Sequence, residues 1–355
     1  MTTITLDTLI IGAGQAGLAA AYYLQQHNVS FALLEERAAV GNIWSTRFDR
    51  LRLFSPQWAS GLPGRPWPGP ALHYPTKDEA AAYLHDYAAH FGFTVYLGQK
   101  ATSLTPAPAG TGYVVRTATG QTYQTQRVIV STGAYSAPRI PAFAGKLPES
   151  VQQLHSSQYH NPTQLTNPGP VAVVGSGNSA LQIAADLAGS GRPVYTAFDD
   201  QTPAFPNNQA TWALLKGTGL LRVSRYNFAG RAMMSRPEPV VLGDLQHLRR
   251  FPNAQFIGRA TEASTEGTLQ GRRATTPPLA AVVWATGFGP DFGWIKLPIF
   301  EADGTPRHHY GLTSAPGVAF LGLPWLNSRS SALMGGAGPD ARHVVGRLLA
   351  TLPEA

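Results

Sequence analysis

The sequence predicts an α/β fold of two Rossmann-like units, each a strand, a glycine turn and a helix, with the second unit inserted into the first. Three observations carry this. Gly12-Ala-Gly14-Gln-Ala-Gly17 follows an apolar strand and opens a helical run. The pattern returns at Gly175-Ser-Gly177-Asn-Ser-Ala180. Each half then closes on an apolar strand ending in Thr-Gly, at Thr132-Gly133 and at Thr286-Gly287.

In order along the chain, Leu9, Ile10 and Ile11 end the first strand, and Ala16, Ala20, Tyr23 and Leu24 recur at helical spacing after the glycines. Residues 30–34 form the next strand, completing the β-α-β setting that a dinucleotide fingerprint requires. Thr76-Lys-Asp-Glu79 is a capping box ahead of Ala80, Leu84, Ala88 and Phe91, which predicts a helix from Lys77 that stops at Gly92. Residues 113–117 and 123–130 read as strands joined at Gly120, and the second runs into Ser131-Thr132-Gly133. Pro138, Pro141 and Pro162 then mark an extended connector that no regular helix could hold. Residues 171–174 begin the second unit, with Leu181, Ala184, Ala185 and Leu187 as the apolar face of its helix. Residues 203–234 are weakly patterned, and residues 282–287 close the second half. A strand at 318–322 and a helix at 338–349 have no unit of their own and return to the first domain. The expected domains are 1–160 and 281–355 for the discontinuous first domain and 161–280 for the inserted one.

Composition narrows the function. A chain of 355 residues, 43% apolar, exceeds the size that one core serves well. Its net charge of +7 is spread over the sequence, with only doublets such as Arg249-Arg250 and Arg272-Arg273, so no nucleic-acid or membrane patch stands out. The chain has no cysteine, which excludes disulfides, thiolate metal sites and dithiol redox chemistry. No metal site is expected. The polar residues 1–7 and the absence of a long apolar run predict neither a signal peptide nor a membrane span, and the cytoplasm is the expected location.

In the first glycine turn, Gly12 permits the tight bend, Gly14 lets backbone approach a pyrophosphate, and Gly17 lets helix and strand pack closely. Gln15 and Ala16 complete the turn, whose free N–H groups and helix dipole favour an anion. Glu35, at the end of the next strand, is placed at the ribose hydroxyls, with Glu36 as second candidate. Gly175, Ser176, Gly177, Asn178 and Ser179 form the second phosphate turn, with Ala180 replacing the third glycine. Two dinucleotide sites in one chain imply an internal electron path. FAD at the first site and NADH or NADPH at the second is the economical assignment, since hydride passes from nicotinamide to flavin without a protein nucleophile.

These motifs together resemble the flavin-containing monooxygenases, in particular small bacterial members related to Baeyer-Villiger enzymes and N-hydroxylases. The resemblance covers nearly the whole chain. It adds Gly41-Asn42-Ile-Trp44, similar to the family's Gly-Gly-x-Trp; Leu53-Phe-Ser-Pro56; His73-Tyr-Pro75; Thr132-Gly133 with Pro138; and Phe143-Ala-Gly145 followed by His155 and Tyr159. Ala285-Thr286-Gly287-Phe288 with Trp294 resembles the second Thr-Gly motif, and Gly336-Ala-Gly338-Pro-Asp-Ala341 the C-terminal flavin-contacting turn. The resemblance implies flavin contacts from Gly41, Asn42, Trp44, Thr132, Gly133 and Gly336, and nicotinamide-nucleotide contacts from Thr286 and Gly287. It also implies an enzyme that forms a flavin hydroperoxide and oxygenates soft sulfur or nitrogen, or a ketone.

Three departures bear on the chemistry. The linker signature is stretched, with nine residues between Gly145 and His155, so His155 and Tyr159 are read as linker elements and His155 as a solvent-facing loop histidine. Where many relatives place an asparagine near the flavin, the matching residue is Phe54, which offers only a ring; Phe54 and Trp58 then line a dry active site, or are ordinary core aromatics. Asp199 stands where an arginine commonly holds the 2′-phosphate of NADPH. An acid about 4 Å from a phosphate costs about 1 to 4 kcal/mol per unit charge. NADH is therefore expected to serve at least as well as NADPH, unless Arg222, Arg225, Arg231 or Arg236 folds back to the phosphate.

The alternatives are an NAD(P)H-dependent flavin reductase or oxidase without oxygen insertion, and a flavoprotein redox sensor. The expected partners are molecular oxygen and a small-molecule substrate, with no nucleic acid and no membrane; a homodimer is compatible with the sequence.

Overall fold

The computed structural model describes residues 3–108 and 110–350. β1 (Thr3–Ile11) alternates in burial at its start and is continuously buried from Thr8 to Ile11, as a parallel strand covered on both faces should be. It pairs in parallel with β2 (Phe31–Leu34) and with β6 (Thr122–Val130). The seven-stranded sheet runs β3 (Val95–Tyr96), β2, β1, β6, β5 (Tyr113–Thr117), β4 (Ala101–Pro106). β6 is shared along its length. Its first residues pair antiparallel with β5, and Val128, Ile129 and Val130 pair in parallel with the strand Val318–Phe320. That pairing returns the C-terminal segment to the first unit.

Helix α1 (Gln15–Gln26) lays Ala16, Gly17, Ala19, Ala20 and Ala21 into the core, and these small side chains let it sit close to the sheet and to the helix Ala337–Ala350. The capping box forms as expected: the Thr76 hydroxyl accepts from Glu79 N, the Glu79 carboxylate accepts from Thr76 N, and the helix spans Lys77–His90.

The second sheet is entirely parallel, in the order Ala254–Phe256, Val194–Ala197, Val171–Val174, Ala281–Trp284, Gln152–His155. Two of its strands lie outside the 161–280 range. Ala281–Trp284 is fully buried between two neighbours, and Gln152–His155 pairs along its outer side. Gln152 and Gln153 carry no apolar signal of a strand; backbone pairing alone makes this segment one. The connectors themselves meet in a short antiparallel pair, Ala137–Pro138 with Phe288–Gly289.

The weakly patterned segment folds into a strap. Asn208 and Asn227 cap two short helices, Gln209–Gly217 and Phe228–Met234, by accepting from Thr211 N and Gly230 N. The strap then crosses to the first unit, where Arg225 N donates to Asn327 O (2.7 Å), Tyr310 N to the Tyr226 hydroxyl (2.9 Å), and Arg329 pairs with Glu238 (2.6 Å). A second tie comes from the loop after Trp44: Phe48 is 2% exposed and packs in the core of the second unit, and Arg50 pairs with Asp186 at 2.9 Å. No helix among the described residues is long and apolar enough to cross a membrane.

Candidate functional site

The two glycine turns share one construction. Gly12 has φ +106°, and a Cβ built on it would lie 2.6 Å from the Ser131 carbonyl oxygen. Gly175 has φ +151°, and its Cβ would lie 2.2 Å from the Ala285 carbonyl oxygen. In each unit the bend is therefore pressed against the strand end that leads into Thr-Gly, and a side chain is barred there. Gly14 and Gly177 differ: each is the N-cap of its helix, and no heavy atom lies within 4 Å of a Cβ built on either. Neither helix has a capping side chain or an acidic residue in its first turn, so the leading N–H groups remain for a ligand. Gly17 and the fully buried Ala180 both sit where helix and turn pack; a Cβ on Gly17 would meet the Gly12 carbonyl at 2.0 Å.

Glu35 directly follows β2 beside the first turn, its carboxylate accepting from Ala13 N and Arg37 N, each at 3.0 Å. Burial raises this carboxyl above the usual range, and those two N–H bonds oppose the rise. Glu36 is exposed. Gly41 (φ +82°) caps the short helix Asn42–Ser45, and Asn42 Nδ2 donates to the Ser45 hydroxyl. Trp44 is half-buried, and its indole N–H finds no protein partner among the described residues. Gln15 is half-exposed and Ala16 buried; Thr132 is exposed and Gly133 takes φ +73° beside it. Gly336, buried, closes the tight turn into the last helix, where Ser330 leaves no room for a Cβ. An unpartnered buried indole N–H, a free helix N-terminus and an acid at the strand end fit a nucleotide cofactor.

In the second unit several expected contacts are already committed within the protein. The Asn178 side-chain oxygen accepts from Val241 N (2.8 Å) and anchors the far end of the strap, while Ser179 is exposed. The Thr286 hydroxyl donates to the Arg139 carbonyl, and the Gly287 carbonyl accepts from Arg139 N and from His155 Nε2, both at 3.0 Å. These bonds join the two connectors beside the turn. His155 is not a solvent-facing loop residue: it is 1% exposed, its ring edge-on to Phe288. Its Nδ1 accepts from Ser157 N and its Nε2 donates to Gly287, which fixes a neutral tautomer, and burial lowers its pKa accordingly. Tyr159, also buried, donates to Asp186 at 2.8 Å.

Phe54 and Trp58 lie under the strap. Phe54 is 38% exposed and stacks on Trp212 with ring centres 6.4 Å apart; the Trp58 indole donates to Gln209, whose amide donates to the Leu72 carbonyl. Trp212 and Gln209 went unnoticed in the sequence, because a 9-residue helix held by Asn208 gives little periodicity.

Asp199 follows the strand Val194–Ala197, its N–H donating to the Ser176 hydroxyl of the glycine turn (2.8 Å). It is not an isolated acid, because Arg259 Nη1 stands 3.6 Å from its Oδ2 and Arg273 pairs with Asp200 at 2.9 Å. The arginines of the strap go elsewhere: Arg225 donates to the Trp325 carbonyl, and Arg222, Arg231 and Arg236 are exposed. Arg47 was also missed. Its guanidinium lies 5.1 Å from the centre of the Phe288 ring, and burial lowers its pKa.

A family model described as pyridine nucleotide-disulphide oxidoreductase matches residues 9–226. An uncharacterized CzcO-like oxidoreductase of Geobacillus kaustophilus is 38% identical over 348 residues, covering 97% of this chain and 98% of the relative. An indole-3-pyruvate monooxygenase of rice, YUCCA1, is 33% identical over 52% of this chain and 45% of its own length. Among solved structures, a flavin-containing monooxygenase from Stenotrophomonas maltophilia superposes with a TM-score of 0.81 at 25% identity, covering 98% of this chain and 99% of that one.

Proposed function

The chain belongs to the pyridine nucleotide-disulphide oxidoreductase family, in its flavin monooxygenase branch, and from that membership we propose that it is an NAD(P)H-consuming monooxygenase that holds FAD at the first glycine turn and the nicotinamide nucleotide at the second. The enzyme would transfer one atom of molecular oxygen to soft sulfur or nitrogen, or to a ketone, of a small molecule, the other atom leaving as water with NAD(P)H as the two-electron donor. The observation that carries the reading is the pair of uncapped helix N-termini at Gly14 and Gly177, each open to a ligand and each at the C-terminal end of a strand paired in parallel on both sides. The family's disulphide chemistry does not apply, because the chain has no cysteine.

Bound flavin supplies the redox chemistry, accepting hydride from the nicotinamide and activating oxygen. The protein's own part is placement. N–H groups around Gly14 would cradle the flavin pyrophosphate, Glu35 would accept from ribose hydroxyls, and the unpartnered Trp44 indole would donate to the cofactor. Gly177 would do the same for the second nucleotide, with Ser176 and Asp199 holding the adenosine side. Phe54, Trp58 and Trp212 would cover the reacting centre from the strap side and exclude water.

Phe54 also favours a second reading, a flavin reductase or oxidase, since its ring offers no hydrogen bond near the flavin. The test is stoichiometry. With purified protein, NADH or NADPH, and a panel of sulfides, amines and ketones, a monooxygenase yields oxygenated product in step with nicotinamide consumed; hydrogen peroxide in step with nicotinamide, and no product, would decide for the oxidase.

A further inference from the structure

The sequence leaves Asp199 facing the adenosine ribose alone, which argues for NADH. The fold changes the electrostatics of that spot. The strand Ala254–Phe256 pairs in parallel with Val194–Ala197, with Thr196 opposite Phe256, and Ile257 N continues the ladder to the Thr196 carbonyl. Both chains therefore leave the sheet at the same C-terminal edge, Asp199 from one strand and Arg259 from its neighbour. The hairpin that follows, Ala260–Ala263 with Leu269–Gly271, brings back Arg272 and Arg273, whose N–H groups donate to the Arg259 and Ile257 carbonyls. Two adjacent acids, Asp199 and Asp200, and two arginines, Arg259 and Arg273, thus converge where a nucleotide in the second turn would carry its 2′ substituent.

We infer that Asp199 and Arg259 form a dual-specificity switch for the nicotinamide cofactor, an inference that rests on the second turn holding that nucleotide. The pair is held loosely: its atoms are 3.6 Å apart, longer than a hydrogen bond, the arginine side chain is 64% exposed, and Asp199 Oδ1 already accepts from Gln201 N. A 2′-hydroxyl leaves the pair intact and donates to Asp199. A 2′-phosphate takes the Arg259 fork, which suits two phosphate oxygens, with Arg273 close by as a second cation. The protein therefore accepts both cofactors, and the arginine responsible comes from the neighbouring strand.

Two measurements test this. The first is direct binding of 2′,5′-ADP and of ADP by calorimetry, which needs no turnover. Arg259→Ala should weaken 2′,5′-ADP about tenfold to about a hundredfold, the loss of one or two charge-assisted hydrogen bonds, and leave ADP within about threefold. Asp199→Asn should tighten 2′,5′-ADP and weaken ADP. The second is the ratio of kcat/KM for NADPH and NADH, which should fall in Arg259→Ala and rise in Asp199→Asn. Equal loss of both nucleotides in Arg259→Ala, or no change in either, overturns the switch while leaving the cofactor site in place. If neither nucleotide binds the wild-type protein, the assignment of the second turn fails with it.

Discussion

Replacing Gly177 by alanine separates binding from folding. Its backbone, φ −101° and ψ 173°, is one that any residue adopts, and a Cβ there would have no heavy atom within 4 Å. The folded protein should accept the change without strain, and the gain of about 0.4 to 1 kcal/mol from lost freedom in the unfolded chain should offset alanine's weaker preference for an N-cap. A nucleotide pyrophosphate lying over the turn would meet the new methyl group and move away from the N–H groups. One charge-assisted hydrogen bond lost is about 1.5 to 3 kcal/mol, or about ten- to 150-fold in affinity. The assay is anaerobic rapid mixing of flavin-loaded protein with NADH and NADPH, following flavin reduction, alongside a thermal melt and the flavin content. The expected result is a melt unchanged or slightly raised, full flavin content, and a ten- to 150-fold rise in the nicotinamide concentration for half-maximal reduction. The mirror variant, Gly14→Ala, should lose flavin and keep nicotinamide-nucleotide binding. Flavin loss in Gly177→Ala would show that the two units are assigned the wrong way round, and unchanged reduction would remove the second turn as a site.

Three further outcomes follow from packing and charge. Phe48→Ala leaves a cavity in the core of the second unit and should cost about 3 to 5 kcal/mol by urea denaturation; a loss under about 1 kcal/mol would mean that this side chain does not bind the units together. Tyr159→Phe takes from the buried Asp186 its hydroxyl donor and should cost about 1 to 3 kcal/mol, with Arg50→Ala adding less than its separate effect because both act on one carboxylate. Burial, with Arg225 and His309 nearby, lowers His308 from 6.5 to about 4, so the folded protein keeps this imidazole neutral where the unfolded chain protonates. Its contribution is complete above about pH 6.5 and declines as pH falls toward 4, by up to about 3 kcal/mol; His308→Gln should flatten that slope in melts taken across the range, and an unchanged slope would assign it to other groups.

What was legible in the sequence was local. The two glycine turns could be read because the positions that bar a Cβ, Gly12 and Gly175, and those that leave room for a ligand, Gly14 and Gly177, recur at fixed offsets between a strand and a helix. The capping box at Thr76 and Glu79 could be read for the same reason, since its partners lie within one turn. Glu35 was found by its distance from the first turn. The departure at Phe54 was visible as a residue type, though its partner Trp212 was not.

The tertiary structure decided whatever depended on which remote segments become neighbours. Gln152–His155 has no strand pattern and became one because Ala281–Trp284 offered an unpaired edge, which carries the second sheet beyond residues 161–280. His155 looked like a loop residue and was buried by the meeting of the two connectors, where the Gly287 carbonyl accepts from its Nε2 as well as from Arg139 N. The charge on Asp199 was plain from the sequence, but the arginine beside it was set by a parallel register that no local periodicity encodes. A single segment of chain determines its own turns and caps; the electrostatic surroundings of a side chain belong to the fold, because an ion pair forms wherever two strand ends emerge together.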